Sequence, residues 1–173
     1  MGGSPRHCRA FVMHEQIAEL LERFRRGAEL VAVAMTGAAG SELDFVPAPG
    51  KWSLRQIVCH LADAEMVGAT RFRRVIAESN PQILAYDQNA WAERLDYHRR
   101  KISQALETFR RIRHENFELL RELPEETYAR TGVHSERGPM TLLDFVRVYA
   151  EHAENHARQI RDVRNAYKAS RQG

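Results

Sequence analysis

The 173-residue chain is 43% hydrophobic and 28% charged, with a formal net charge of +3 and an isoelectric point of about 9.1. This is the composition of one ordinary globular domain, and the basic residues are too interspersed with acids to indicate a nucleic-acid partner. No apolar run reaches the length of a membrane span, and two cysteines, Cys8 and Cys59, make no disulfide framework. We therefore expect a cytoplasmic protein without membrane contact.

The chain begins with residues that we leave out of the fold prediction. Residues 1–12 are expected to be a disordered extension or a cloning remnant, because Met13 could itself be a start. We expect one domain over residues 13–168 and a frayed polar tail at 169–173. The first helix is predicted from about His14 to Met35, where apolar residues recur at helical spacing before a Gly-Ala-Ala-Gly stop.

The second predicted helix follows the proline-rich connection 47–52. Ser53 is a natural N-cap, and Gln56 three residues later completes a capping box. His60 stands on the border of this helix's apolar stripe. The helix should fade before Pro81, because the residue preceding a proline resists the α region.

Two further helices are predicted in the rest of the chain. Residues 81–96 form a long connection with room for a short helix, and a connection of that length is usually functional or a crossover. The third helix is expected over Tyr97 to Leu123, ended by Pro124. Residues 132–139 indicate a polar turn or a small hairpin. Thr141 or the residue before it should cap a fourth helix that runs to about Tyr167. The pattern predicts an all-α four-helix bundle.

The fourth helix contains a pair of histidines with metal-ligand spacing. His152 and His156 both fall on its apolar side, and residues four apart on a helix point the same way. The alternative interpretation is two unrelated histidines, one packed and one solvated. A metal site needs a third ligand from elsewhere, for which the candidate is His60.

Three stretches together resemble the DinB/YfiT-like superfamily. They are residues 49–65 (PGKWSLRQIVCHLADAE), the set Asn80-Pro81, Tyr86-Asp87 and Trp91, and the set Leu143, Tyr149, His152 and His156. The resemblance covers residues 14–167. It implies a four-helix bundle with long crossover connections, homodimers, and a three-histidine metal site formed by His60, His152 and His156. Members are described as candidate metal-dependent hydrolases, or as transferases and isomerases that use thiols such as bacillithiol and mycothiol.

Three histidine ligands would leave a metal ion with an open position, which is typical of catalytic rather than structural sites. The reactive group expected there is a metal-bound water or a thiolate. Zinc and nickel rank first for nitrogen ligands, and iron and manganese are also tolerated. We therefore expect a thiol S-transferase or a hydrolase acting on a small molecule. The alternatives are a non-catalytic metal-binding stress-response protein and a structural bundle with an empty site.

Residues around the three histidines have more than one interpretation. Four carboxylates are candidates for orienting the imidazoles, or else lie plainly on the surface: Asp63, Glu65, Glu151 and Glu154. A ferritin-like dinuclear site is rejected, because no carboxylate stands three residues before any of the three histidines.

The aromatic residues, Cys59 and the remaining histidines are mostly read as structural. We expect Trp52 to plug the bundle end, and Tyr86, Asp87 and Trp91 to pack or to wall a pocket mouth. Cys59 should be a buried apolar side chain rather than a fourth ligand, because adjacent helical residues diverge. The other histidines are interpreted as surface residues, with His134 singled out because it precedes the fourth helix: His7, His14, His98, His114 and His134.

Overall fold

The structure is a computed structural model that describes the backbone of residues 5–172 and the side chains of residues 14–172. Four long helices and one short helix make up most of it: α1 (Pro5–Met35), α2 (Leu54–Ala77), α3 (Gln88–Arg94), α4 (Ile102–Arg121) and α5 (Leu142–Ser170). Two of the connections contain short strands: β1 (Gln82–Ile83), β2 (Thr131–His134) and β3 (Gly138–Thr141). The predicted four-helix bundle is confirmed, with a small sheet added to it.

The four long helices form a closed ring in the order α1, α5, α2, α4. Helix α1 packs against α5 and α4, and α2 packs against the same two helices. Helices that follow each other in the chain, α1 and α2 or α4 and α5, therefore stand diagonally across the bundle. This arrangement requires the crossover connections that the sequence predicted, and it makes α2 and α5 neighbours.

The predicted capping box of α2 is present, and Thr141, the predicted cap of α5, forms a second one. The Ser53 hydroxyl accepts a hydrogen bond from the Gln56 backbone N–H at 3.4 Å, and the Ser53 N–H donates to Gln56 Oε1 at 3.0 Å. Thr141 and Asp144 exchange the equivalent bonds at the start of α5, at 3.1 and 3.0 Å. These bonds satisfy backbone donors that have no partner within the helix. They fix the starting points of the two helices that contain the three histidines.

Three predicted helix ends were misplaced. Helix α1 begins at Pro5 rather than near His14, and α5 continues to Ser170, past Tyr167. The predicted extension at residues 1–12 falls on residues whose side chains lie outside the described part. Helix α4 begins at Ile102 rather than Tyr97, because Asp96 has a φ of +48° and Tyr97 turns inward.

The strands fold the connections onto one end of the bundle. β2 and β3 form the antiparallel hairpin predicted near residues 132–139, and β1 pairs with β2 in parallel, Ile83 beside His134. This sheet brings the connection after α2 and the hairpin before α5 together. Within the described residues, no helix is both long and apolar enough to cross a bilayer.

The core consists of two apolar clusters separated by a buried polar layer. One cluster contains the N-terminal half of α2 and the C-terminal half of α5, and the other contains their opposite halves. Between them, Arg113 of α4 donates to Glu65 of α2 at 2.6 Å and to the backbone carbonyls of Phe24 and Tyr149 at 3.1 Å each. One guanidinium thus joins the other three long helices at the middle of the bundle.

Candidate metal centre

The three histidines predicted from the sequence meet at the contact between α2 and α5. The Nε2 atom of His152 lies 2.9 Å from Nε2 of His60 and 3.0 Å from Nε2 of His156. One nitrogen from each ring lies within 4.8 Å of the other two. His152 and His156 stand one helical turn apart, and the ring arrangement places α2 against them with His60 facing inward.

Hydrogen bonding alone does not explain this arrangement. A ring nitrogen carries either one proton or one lone pair, so His152 Nε2 can make at most one linear hydrogen bond to its two neighbours. A cation bound by all three lone pairs would satisfy the whole group. Tetrahedral zinc with nitrogen ligands at about 2.0–2.1 Å separates those nitrogens by about 3.4 Å, a few tenths of an ångström more than in this structure.

The environment keeps the three imidazoles neutral, which metal ligands must be. Burial, together with a smaller effect of the neighbouring His156, lowers the pKa of His60 to about 3. Burial also lowers the pKa of His152 and of His156, although a hydrogen bond with Gln159 partly offsets the effect at His156. At neutral pH each ring therefore has a lone pair available for a cation.

The outer nitrogens of the rings differ in their partners. His156 Nδ1 lies 2.7 Å from the side-chain oxygen of Gln159, which accepts a hydrogen bond from Nδ1–H and leaves the lone pair on Nε2. His60 Nδ1 is buried without a hydrogen-bond partner in the described part of the chain. The Trp52 ring packs on His60 with a centroid separation of 4.9 Å, so the predicted bundle-end plug covers the site itself.

None of the four carboxylates considered from the sequence hydrogen-bonds to a site histidine within the described residues. Asp63 accepts from Tyr97 Oη and Arg100 at 2.7 Å each, Glu65 pairs with Arg113, and Glu154 pairs with Arg23 at 2.9 Å. Glu151 is exposed. Asp63, Glu65 and Glu154 thus pair with arginines of other parts of the bundle, and the acceptor beside His156 is Gln159.

A pocket of about 150 Å³ opens beside His152. Its walls come from α2, the segment after β1, the hairpin and α5, and the polar side chains that line it include Arg71, Tyr86, His134, Arg137 and Tyr149. The Tyr149 hydroxyl accepts a hydrogen bond from Arg71 Nη1 at 3.3 Å, and its ring lies 6.3 Å from that of His152. The pocket therefore joins the three histidines to a set of hydrogen-bond donors.

Tyr86, Asp87 and Trp91, which were expected either to pack or to wall a pocket mouth, have three different roles in the structure. Tyr86 lines the pocket, Trp91 packs on Tyr86 at 4.4 Å, and Asp87 accepts from two backbone N–H groups to cap α3. Cys59 is fully buried, and burial raises the pKa of its thiol to about 11, as expected of an inert packed cysteine.

His134 is a correction to the sequence analysis. His14, His98 and His114 are exposed as predicted, and His7 lies outside the described side chains, but His134 is buried at 6% exposure and lines the pocket. The pairing of β1 with β2 brings it there, and the helical spacing of the chain contains no signal for that pairing. Gln159 was also missed, although its position three residues after His156 on one helix was visible.

The chain resembles known proteins over most of its length. The DinB superfamily model matches residues 17–160. A protein of Oceanobacillus iheyensis named as a candidate metal-dependent hydrolase is 34% identical over 119 residues, 69% of each chain. YfiT of Bacillus subtilis, named in the same way, is 31% identical over 124 residues, 71% of this chain and 70% of YfiT.

A solved structure supports the same relationship. YfiT from Bacillus subtilis, described as a probable metal-dependent hydrolase with an unusual four-helix bundle topology, aligns with a TM-score of 0.81 at 27% identity. The alignment covers 86% of both chains.

Proposed function

Because the chain belongs to the DinB superfamily, we propose that it is a metal-dependent enzyme in which His60, His152 and His156 hold one divalent cation. The observation that supports this most directly is the convergence of three neutral Nε2 atoms that cannot satisfy one another by hydrogen bonds. Zinc or nickel suits three nitrogen ligands best, and iron or manganese is also compatible. The fourth position would face the pocket beside His152.

A divalent cation in this site would supply a Lewis acid that activates a water or a thiol for attack on a small molecule. We place hydrolysis first, since the relatives are named as hydrolases and the 150 Å³ pocket suits a small substrate. Thiol S-transfer is the second candidate, because the same open position could hold a thiol sulfur. A thiol as large as bacillithiol would leave most of its atoms outside the pocket.

Tyr149 is the residue of this chain best placed to assist either reaction. Burial raises the pKa of its phenol, so it stays protonated at neutral pH. Arg71 donates to its oxygen, which leaves the phenolic proton available to the pocket. We propose that this O–H group donates to an oxygen of the substrate as negative charge develops there.

The test measures metal content and turnover on the same samples. We would load the wild-type protein with zinc or nickel, and assay small esters, amides and lactones without thiol. A model electrophile would then be tested with bacillithiol, mycothiol, glutathione and cysteine in turn. The matched variants are His156→Ala, which removes a proposed ligand, and His114→Ala, which removes an exposed histidine of α4.

We expect one metal equivalent in the wild type and in His114→Ala, and loss of both metal and turnover in His156→Ala. Turnover without thiol identifies a hydrolase, and turnover that needs one thiol identifies an S-transferase. Tight metal binding without any turnover would instead indicate the non-catalytic metal-binding protein. Absence of metal even after loading would leave a structural bundle.

The family resemblance also implies a homodimer, which sedimentation equilibrium would test. A monomer at micromolar concentration would contradict that expectation.

A further inference from the structure

We propose that Arg71, Arg137 and His134 form a binding subsite for the carboxylate of a small organic acid, next to the three histidines. This inference rests on the proposed function, because it names the class of substrate that the proposed metal-dependent enzyme would bind. The substrate would be a short molecule with a carboxylate at one end and the reactive bond at the other end, toward His152.

Arg71 is the residue that first indicates an anionic ligand. Other half-buried or buried arginines of the bundle are neutralised by an acid, as Arg113 is by Glu65 at 2.6 Å and Arg100 is by Asp63 at 2.7 Å. Among the described side chains, Arg71 forms no ion pair. Its guanidinium donates only to the Leu84 carbonyl at 2.7 Å and the Tyr149 hydroxyl at 3.3 Å.

The positive charge of Arg71 has no acidic partner among the residues described, and its partial burial costs free energy. The Nε atom of this side chain is buried without a hydrogen-bond partner in the part of the chain that the structure describes. A cation held half out of water by two neutral oxygens gains from a carboxylate nearby, because charge-assisted hydrogen bonds are about twice as strong as neutral ones. Arg71 lines the pocket, so a ligand in the pocket can reach its guanidinium.

The hairpin provides the second half of the subsite. Arg137, at its exposed tip, lines the same pocket and forms no ion pair with any described side chain. His134 accepts the Glu136 backbone N–H at Nδ1 at 3.2 Å, which places its own proton on Nε2 as a donor. Burial lowers the pKa of His134, and the positive charges of Arg71 and Arg137 lower it further, while Glu136 partly offsets them.

The balance of charge favours a carboxylate over a phosphate. Glu136 also lines the pocket, and its negative charge offsets one of the two positive charges of the arginines. His134 is neutral, because its pKa is lowered. Two cations and one anion leave a net charge of +1, which matches a single carboxylate rather than a phosphate dianion. The cavity volume of about 150 Å³ accommodates an acid of a few carbon atoms.

Tyr149 indicates how the substrate would lie in the pocket, because it stands between Arg71 and the three histidines. Its hydroxyl contacts Arg71, and its ring lies 6.3 Å from the ring of His152. A carboxylate held by Arg71 and the hairpin would therefore place the next few atoms of the substrate over Tyr149, toward the three histidines.

Binding is tested without metal, so that a carboxylate cannot bind to a cation instead of to the arginines. The protein is His156→Ala in the presence of a chelator, and the probes are butyrate, its neutral isostere butyramide, and inorganic phosphate, each titrated by calorimetry. Arg71→Gln, Arg71→Lys and Arg137→Gln are combined with this background, and Arg121→Gln, an exposed arginine of α4, is the control.

We expect butyrate to bind more tightly than butyramide or phosphate. Arg71→Gln should weaken butyrate binding roughly 10- to 100-fold, and the more exposed Arg137→Gln should weaken it several-fold. Arg121→Gln should leave the affinity for butyrate unchanged.

Equal binding of butyrate and butyramide, or unchanged binding in Arg137→Gln and Arg71→Lys, would overturn the subsite. Tighter binding of phosphate would overturn the choice of a carboxylate. If Arg71→Gln does not fold, the other two variants decide the result.

The failure of the subsite and the failure of the proposed function give different results. Metal-loaded wild type is assayed on monomethyl succinate and on its neutral analogue dimethyl succinate. Selective hydrolysis of the monoester, reduced in Arg137→Gln, supports both proposals. If butyrate binds but neither ester is hydrolysed, the subsite proposal stands and the hydrolase proposal is wrong. If both esters are hydrolysed equally, the hydrolase proposal stands and the subsite proposal is wrong.

Discussion

The guanidinium of Arg113 and the carboxylate of Glu65 lie 2.6 Å apart in the middle of the bundle, and each side chain is only 1% exposed. Arg113 also contacts the faces of Phe24 and Phe109, at 4.4 and 4.8 Å. An ion pair buried to this degree is costly to break, because either charge alone would remain unpaired in the core.

We predict that Arg113→Met lowers the free energy of unfolding by about 3–5 kcal/mol. Adding Glu65→Leu to it should restore a large part of that loss, since the unpaired carboxylate disappears. Urea denaturation measures both values. Arg110→Met, which removes an exposed neighbour paired with Glu107, should change stability by less than about 1 kcal/mol. A loss in Arg113→Met no greater than in this control would contradict the assigned role of the pair.

Gly27 lies where α1 closely approaches Arg113 and Ala153 of α5. A Cβ atom there would lie 2.7 Å from the Cβ of Ala153 and would also clash with the Arg113 guanidinium. Alanine normally stabilises a helix by about 1 kcal/mol relative to glycine. Overpacking costs about 1–3 kcal/mol, so we expect Gly27→Ala to be destabilising on balance.

Thermal unfolding compares Gly27→Ala with Thr70→Ala, at an exposed position of α2. The control should keep or slightly raise the melting temperature. A melting temperature that rises in Gly27→Ala would show that the helices separate easily at this point.

Gln159 is predicted to orient His156 for the metal. Gln159→Ala should weaken zinc or nickel affinity roughly 10- to 100-fold, because Nδ1 of His156 loses the acceptor that holds its proton. Competition with a chromophoric chelator measures the affinity. Gln104→Ala, an exposed glutamine of α4, serves as the control, and equal affinity in the two variants would remove Gln159 from the site.

Asp144 is predicted to make the stability of α5 dependent on pH. The Thr141 hydroxyl donates to its carboxylate at 2.6 Å and holds the pKa of Asp144 below its usual range. A folded pKa below the unfolded value of about 3.9 adds stability that is complete above that pH and declines as the pH falls through the folded pKa.

The melting temperature of wild type should therefore exceed that of Asp144→Asn at pH 7, and the difference should shrink below about pH 4. Asp162→Asn, at an exposed position of the same helix, controls for the loss of one negative charge. A difference that stays constant down to pH 3 would assign the effect to the amide group rather than to ionisation.

The helices and their caps were predictable because they depend on neighbouring residues. Ser53 with Gln56 follows from a spacing of three residues, Thr141 follows from its place before the apolar run of α5, and the pair His152 and His156 follows from a spacing of four. His60 was placed beside them through the family resemblance rather than through spacing.

Other features depend on contacts between distant parts of the chain. Nothing local distinguishes Arg113, which is buried, from the exposed Arg110 three residues earlier. His134 enters the pocket only through strand pairing. Tyr97 was assigned to a helix, but its hydroxyl bonds to Asp63, 34 positions away, and α4 begins only at Ile102.

The diagonal placement of chain-consecutive helices has a consequence for folding. His60 and His152 are 92 positions apart, and α5 reaches α2 only after every other element has been synthesised. Such long-range contacts form slowly, because the entropy of closing the intervening loop is lost before the contact is gained. The three histidines would therefore come together only when the C-terminal helix docks, and a bound cation would stabilise the completed bundle without stabilising shorter intermediates.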